Sequence, residues 1–258
     1  MGVKVTMRKQ TAIAMTFAWM SMIPVSAIAQ VEEPVETDET LIVRTVSGVN
    51  VCTNLADGGS CGTERWLITV YADGTRTLRT FLDWSNRASQ LTAVLRVDEE
   101  FRPVDAFAQT HSGGAFLGTG LYVVADGMLT QTIHTPTDVF SETTALPDRF
   151  SLLLHPVSAD GWHYGYYDME AGGPQTGQQC TLGAAGRSVM CALSERPLEF
   201  VGTEDITVPA GTFTTQRFRF GDSTELWVTG PDRVVVQHEY RAGGTRYQLT
   251  EYQNTDAP

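Results

Sequence analysis

The stretch 65-RWLITVYADGTRTLRTFL-82 gives the clearest prediction of local structure in this chain. It places the dipeptide Asp73-Gly74 between two runs rich in β-branched and aromatic residues, Arg65–Tyr71 and Thr77–Leu82. An Asp-Gly pair in that setting is the strongest short-range hairpin signal, because both residues tolerate the positive φ values of a tight turn. The sequence therefore predicts two antiparallel strands joined at Asp73-Gly74.

The same pattern recurs along the chain, with turns at Asp126-Gly127 and Pro209-Ala210-Gly211. Helical spacing of apolar residues is almost absent, and one or two helical turns are expected only within Asp83–Leu91. The further strands predicted on these grounds are Leu121–Val124 with Leu129–Ile133, Phe200–Val208 with Phe213–Phe220, and then Glu225–Val228, Arg233–Arg241 and Thr245–Tyr252.

Short strands at this spacing predict an all-β fold, an antiparallel meander that forms a curved half-barrel, a barrel or a sandwich. Residues 41–253 contain no linker, so they are expected to form a single β domain.

A resemblance to a known family lies in the C-terminal part. The run Glu204–Phe213 contains Val-Pro-Ala-Gly-Thr-Phe, and it is followed by a tryptophan strand at Glu225–Val228 and by Val234–Tyr240. These features resemble exported bacterial proteins with a lipoprotein-carrier-like β fold, over roughly residues 198–252. The resemblance implies a curved antiparallel sheet around an apolar cavity, in a group where many members have no assigned activity.

The N-terminus predicts export. Lys4, Arg8 and Lys9 precede an uncharged stretch that ends at Ser26-Ala27-Ile28-Ala29, the small-x-small pattern of a signal-peptidase site. Cleavage is expected after Ala29, so residues 1–29 are a signal peptide and residues 30–40 a disordered acidic tail. No cysteine stands at the cleavage point, so no lipid anchor is expected. The predicted location is the periplasm.

The charge balance excludes some partners. The chain has 18 basic and 30 acidic residues, and removal of residues 1–29 takes away three basic residues, leaving a net charge of about −15. So acidic a surface repels phosphate backbones and anionic lipid, and neither nucleic acid nor a membrane is an expected partner. The oligomeric state is not predicted.

Four cysteines form two locally spaced pairs, Cys52 with Cys61 and Cys180 with Cys191. Four cysteines allow three connectivities. The local one is favoured because each pair encloses a glycine-rich turn. A metal site is the rival interpretation, but neither pair has CxxC spacing, and an exported protein favours disulfides.

The segment 155-HPVSADGWHYGYYDME-170 concentrates the residues that could carry chemistry. If residues 162–170 form a strand, Trp162, Tyr164, Tyr166, Asp168 and Glu170 share one face. Stacked rings that end in carboxylates suit an aromatic or carbohydrate ligand. The competing interpretation is ordinary core packing, since Tyr and Trp are favoured in strands for that reason alone.

Acid–base chemistry is a sharper hypothesis for the same segment. His155 and His163, with Asp160 or Asp168 as the carboxylate, could act as general acid and base. A metal held by these histidines with His134 or His238 is the alternative, but no metal-binding signature such as HExxH is present. Neither a metal nor a cofactor is therefore predicted. A nucleophile elbow and a phosphate loop are also absent.

Four residues near the C-terminus complete the candidate ligand-binding set. Arg217 and Arg219 lie two positions apart on one strand face, where they could clamp a carboxylate. Cross-strand pairing with Glu225 or Glu239 is favoured instead. Trp227 and His238 lie on the strands that follow.

The sequence leaves three functions open. The favoured one is a periplasmic binding or carrier protein for a hydrophobic or aromatic small molecule. The second is a cofactor-independent lyase or isomerase with a His/Asp pair in the same cavity. The third is a structural envelope protein.

Overall fold

The computed structural model describes residues 41–182 and 189–256. The predicted signal peptide and acidic tail lie outside these residues. The elements are β1 (Ile42–Asn54), β2 (Ser60–Tyr71), β3 (Arg76–Trp84), a 3₁₀ turn (Ser85–Arg87), β4 (Ser89–Val97), β5 (Pro103–Ser112), β6 (Ala115–Ala125), β7 (Met128–His134), β8 (Val139–Ala145), β9 (Phe150–Leu153), α1 (Val157–Asp160), β10 (Gln175–Leu182), β11 (Cys191–Val208), β12 (Gly211–Phe220), β13 (Thr224–Thr229), β14 (Val234–Tyr240) and β15 (Thr245–Asp256).

All 15 strands belong to one sheet, in the order β8-β7-β6-β5-β4-β3-β2-β1-β15-β14-β13-β12-β11-β10-β9. Neighbouring strands are antiparallel except for β9 and β10, which run parallel. Strands β1–β8 and β10–β15 thus form two meanders, which β1 joins by pairing with β15, and β9 adds to β10 in parallel. The prediction of an all-β antiparallel half-barrel is confirmed.

The short link between the two outermost strands requires the sheet to curl. β8 ends at Ala145 and β9 begins at Phe150, at opposite ends of the strand order. The five Cα–Cα steps between them span at most about 18 Å. The sheet therefore bends until its ends approach each other, although β8 and β9 do not pair.

The predicted hairpins are confirmed. Thr69 pairs with Thr77 beside the Asp73-Gly74 turn, and Val208 pairs with Gly211 beside Pro209-Ala210. At Asp126-Gly127 both residues have positive φ, 51° and 71°. That combination belongs to the type I′ turn, whose twist matches the flanking strands.

Both disulfides have the favoured local connectivity, so the cysteine metal site is excluded. Cys52–Cys61 links β1 to β2, and Cys180–Cys191 links β10 to β11. Disulfides of this kind indicate that the chain folds in an oxidising compartment outside the cytoplasm.

The helical turn expected within Asp83–Leu91 is present as the single 3₁₀ turn between β3 and β4. The strand predicted for residues 162–170 was wrong. Instead, five N–H groups between Ala159 and Tyr167 donate to the carbonyl three residues earlier, so this stretch satisfies part of its backbone hydrogen bonding locally.

Residues 154–167, the inner segment, occupy the concave side of the half-barrel. Trp162 and Tyr164 are fully buried within it, and its residues contact β2, β12 and β14. Gly161 permits this close packing, because a Cβ at that position would collide with the carbonyl oxygen of Arg233.

Candidate functional site

A buried carboxylate on β2 anchors the inner segment. Glu64 accepts hydrogen bonds from the backbone N–H groups of Val157 (2.8 Å) and Ser158 (3.0 Å) and from the hydroxyls of Thr80 and Ser158. It thereby satisfies the free N–H groups at the start of α1. Burial raises the pKa of Glu64 to about 7, although these hydrogen bonds act in the opposite direction.

The sequence reasoning missed Glu64, although a signal was present. Alternation along β2 places Glu64 in the same row as Trp66, Ile68 and Val70, all of which are buried. A carboxylate in an otherwise apolar, inward-facing row needs buried partners.

The structure brings Asp160 together with two histidines. Asp160 Oδ1 lies 3.3 Å from Nε2 of His163, and Oδ2 lies 3.4 Å from Nε2 of His238 on β14. Burial lowers the pKa of His238, against the attraction of Asp160 and Glu239. This group, the Asp160 cluster, therefore contains a carboxylate with an imidazole near each oxygen.

The other two proposed acid–base residues lie elsewhere. His155 Nε2 is 2.8 Å from the carbonyl oxygen of Leu182. Asp168 is exposed, and its Oδ1 accepts hydrogen bonds from the N–H groups of Glu170 (2.9 Å) and Ala171 (3.0 Å). Asp168 thus closes a local turn.

The expected aromatic face is divided between the core and a surface cleft. Tyr164 stacks on Phe218 and Phe220, with ring centroids 4.2 and 5.0 Å away, and burial raises its pKa. Trp162 donates from Nε1 to the carbonyl of Asp232 at 3.0 Å. Tyr166 packs over Gly177 of β10. The even-numbered aromatic residues therefore do not form the single strand face that alternation predicted.

Trp162 and Tyr166 instead line a cleft of about 250 Å³, the aromatic cleft. Phe101 and Phe150 complete its ring-lined floor, and Gly165 contributes backbone. Its rim carries four ionisable side chains: Glu100, Arg102, Asp148 and Arg149.

Several side chains pack against Phe101 in the floor of this cleft. The guanidinium carbons of Arg76 and Arg233 each lie 4.4 Å from its ring centroid, and the Trp162 ring meets it edge-on at 6.1 Å. Phe101 has φ +67°, a left-handed conformation that bulky residues adopt only when their surroundings impose it. The position of the Phe101 ring in the floor of the cleft is thus set by packing.

The C-terminal candidates form cross-strand pairs. Arg217 contacts Glu204 (3.3 Å) and Glu225, as the pairing hypothesis favoured, and Trp227 Nε1 donates to Glu204 at 2.7 Å. Arg219 pairs with Glu199 rather than with either predicted acid. Glu199 and Arg219 line a second cleft of about 160 Å³, separate from the aromatic cleft.

Across residues 41–182 and 189–256, no three His, Cys, Asp or Glu side chains are grouped so as to hold a metal ion. Within the same residues, no helix has the length and apolar character needed to cross a bilayer.

The chain matches no protein-family model, and no curated protein is significantly similar to it in sequence. Its fold is similar to a β-barrel-like protein of the domain of unknown function DUF1849 from Brucella abortus, with a TM-score of 0.54 and 9% identity over 84% of this chain and 99% of that one. A DUF1089 family protein from Pseudomonas aeruginosa has a TM-score of 0.41 and 12% identity over 72% of this chain and 91% of that one. The first likeness supports the β-barrel-like fold alone, and neither description names a ligand or the lipoprotein-carrier family.

Proposed function

We propose that this chain is a periplasmic binding or carrier protein whose aromatic cleft holds a small hydrophobic or aromatic molecule. The observation that carries the proposal is the floor of four aromatic residues, Phe101, Phe150, Trp162 and Tyr166. Aromatic rings bury large areas and favour stacked or edge-to-face contact with another ring. A concave, ring-lined surface with a few polar groups at its edge is typical of small-molecule sites.

The size of the cleft limits the ligand. Pockets for drug-sized molecules are roughly 300–1,000 Å³. At about 250 Å³ the aromatic cleft falls below that range. The proposed ligand is therefore a compact molecule of one to three aromatic rings, and a long acyl chain is not expected.

Two features support the proposed compartment. The disulfides Cys52–Cys61 and Cys180–Cys191 fit an oxidising environment. The predicted leader peptide, residues 1–29, supplies an export route.

The lyase or isomerase alternative is less well supported, because the Asp160 cluster does not line the aromatic cleft. Asp160 and His163 are 8% and 1% exposed. Acid–base catalysis requires the groups to reach a proton on the bound substrate, directly or through one water. The cluster instead links the inner segment to β14, which is a structural role.

The test is a titration with N-phenyl-1-naphthylamine, a neutral aromatic probe whose fluorescence rises on transfer from water. We expect saturable binding that weakens about fivefold to tenfold in Phe150→Ala, since one aromatic wall is removed. Phe140→Ala is the matched control, because Phe140 lies on β8 and does not line the cleft. Absence of saturable binding, or equal weakening by both substitutions, would refute the proposal.

A further inference from the structure

The four charges on the rim of the aromatic cleft fall into two classes. Arg102 contacts Asp98 at 2.6 Å and Glu100 at 3.0 Å, so the two rim charges on this side, Glu100 and Arg102, are already engaged in ion pairs. Asp148 and Arg149 have no ion-pair partner among the described residues, and they do not pair with each other. Within the described part of the chain, the cleft therefore presents one carboxylate and one guanidinium that make no ion pair.

Arg149 is positioned without being neutralised. Its Nη1 donates to Oε1 of Gln175 at 3.2 Å. Gln175 is itself fixed, because Oε1 accepts from the N–H of Asp168 (2.9 Å) and Nε2 donates to the Asp168 carbonyl (2.6 Å). A guanidinium has five N–H donors, so the others remain for a ligand. The backbone carbonyl of Arg149 also accepts from Gln178 N–H (3.0 Å), which holds this edge of the cleft on β10.

We propose that the ligand is a zwitterion, an aromatic molecule that carries both a carboxylate and an ammonium group, the class to which aromatic amino acids belong. This inference rests on the proposed function. Arg149 would bind the carboxylate, Asp148 would bind the ammonium, and the aromatic floor would take the ring.

Charge complementarity separates this ligand from its singly charged analogues. A plain aromatic acid would meet Arg149 but would lie beside the Asp148 carboxylate without compensation. An aromatic amine would meet Asp148 and be repelled by Arg149. Only a ligand with both charges gives each of these two rim residues an opposite charge and neither a like one, whereas a neutral ring leaves both without a partner.

The experiment is isothermal titration calorimetry of the full chain with four indoles: L-tryptophan, indole-3-propionate, tryptamine and 3-methylindole. We expect L-tryptophan to bind most tightly, with about a fivefold loss on removal of either charged group, since the rim is solvent-exposed. Asp148→Asn should abolish the difference between L-tryptophan and indole-3-propionate. Arg149→Gln should abolish the difference between L-tryptophan and tryptamine.

Glu142→Gln and Arg196→Gln are the charge-matched controls, because both residues are exposed on strands that do not line the cleft. They should leave all four affinities unchanged. Tightest binding of 3-methylindole or of a singly charged indole, or discrimination that survives both rim substitutions, would overturn the inference while leaving the proposed function intact. Failure of all four indoles and of N-phenyl-1-naphthylamine to bind would overturn both.

Discussion

The side-chain amide of Gln131 makes the two hydrogen bonds to Cys191 that a neighbouring strand would make. Its Nε2 donates to the carbonyl of Cys191 (3.3 Å), and its Oε1 accepts from the N–H of Cys191 (3.0 Å). Gln131 lies on β7, near one end of the sheet, and Cys191 begins β11, near the other. The hydroxyl of Tyr122 also donates to the carbonyl of Val189. Side chains therefore join the two ends of the half-barrel where no ladder closes it.

Replacement of Gln131 by Ala should destabilise the fold by about 1–3 kcal/mol, because it leaves the backbone groups of Cys191 without partners in a buried setting. Thr132→Ala is the control, since the next residue on β7 faces the opposite side and its hydroxyl contacts the exposed hydroxyl of Ser141 (3.2 Å). The measurement is urea unfolding monitored by fluorescence. Equal midpoints for the two variants would contradict a role for Gln131 in joining the sheet.

Much of this fold could be predicted from the sequence because its elements are local. The dipeptides Asp73-Gly74 and Asp126-Gly127 each predict the hairpin that surrounds them. Each disulfide joins cysteines only 9 or 11 positions apart. Residues 162–170 are the exception, because their alternating aromatic residues have the pattern of a strand. A run of short-range backbone hydrogen bonds, together with the close packing that Gly161 permits, produces a compact segment there instead.

The parts that sequence reasoning missed depend on distant partners. Glu64 and Ser158 are 94 positions apart, and Gln131 and Cys191 are 60 apart. No local pattern encodes such contacts. Only the local half of the aromatic cleft could be predicted. Trp162 and Tyr166 belong to the aromatic segment that the sequence singles out. Phe101 and Phe150 reach the cleft from other parts of the chain and have no signature in the sequence.

Glu64 should make the protein less stable as the pH rises from about 4.5 to about 7. Its pKa is about 7 in the folded state against an ordinary value of 4.5, so the folded state binds more protons across that window. The full effect is about 3 kcal/mol. Urea unfolding at pH 5 and pH 8 measures it, and Glu64→Gln should remove this component of the pH dependence. A variant with an unchanged pH profile would contradict the assignment.

His238 should make the protein less stable as the pH falls, which is the opposite of the effect of Glu64. Burial lowers its pKa below the ordinary 6.5, so the unfolded state binds the extra proton first and the stability from this group is lost as the pH falls. The direct measurement is NMR titration of the imidazole resonances. We expect the His238 resonance to titrate below the ordinary imidazole pKa of about 6.5. A resonance that titrates above that value would show that the attraction of Asp160 outweighs burial.

Gly177 should control the width of the aromatic cleft. A Cβ at this position would collide with the ring of Tyr166, so Gly177→Ala must displace that ring. We expect the affinity for N-phenyl-1-naphthylamine to fall about tenfold, because a ring contact of the floor is lost. Thr176→Ala is the control, since Thr176 is exposed on the same strand. Unchanged binding in Gly177→Ala would place the probe outside the aromatic cleft.

The Cys180–Cys191 disulfide and Gln131 should act as one unit. The disulfide links β11 to β10 at the residue that Gln131 binds, so it reduces the freedom of that backbone before the amide bonds form. Replacing both cysteines by Ser should cost about 2–4 kcal/mol. In that background Gln131→Ala should cost about 1 kcal/mol less than in the native chain, since a loosened Cys191 backbone can turn to water. A double-mutant cycle by urea unfolding measures this coupling. Strict additivity would mean that the disulfide and the amide stabilise the two sides of the gap independently.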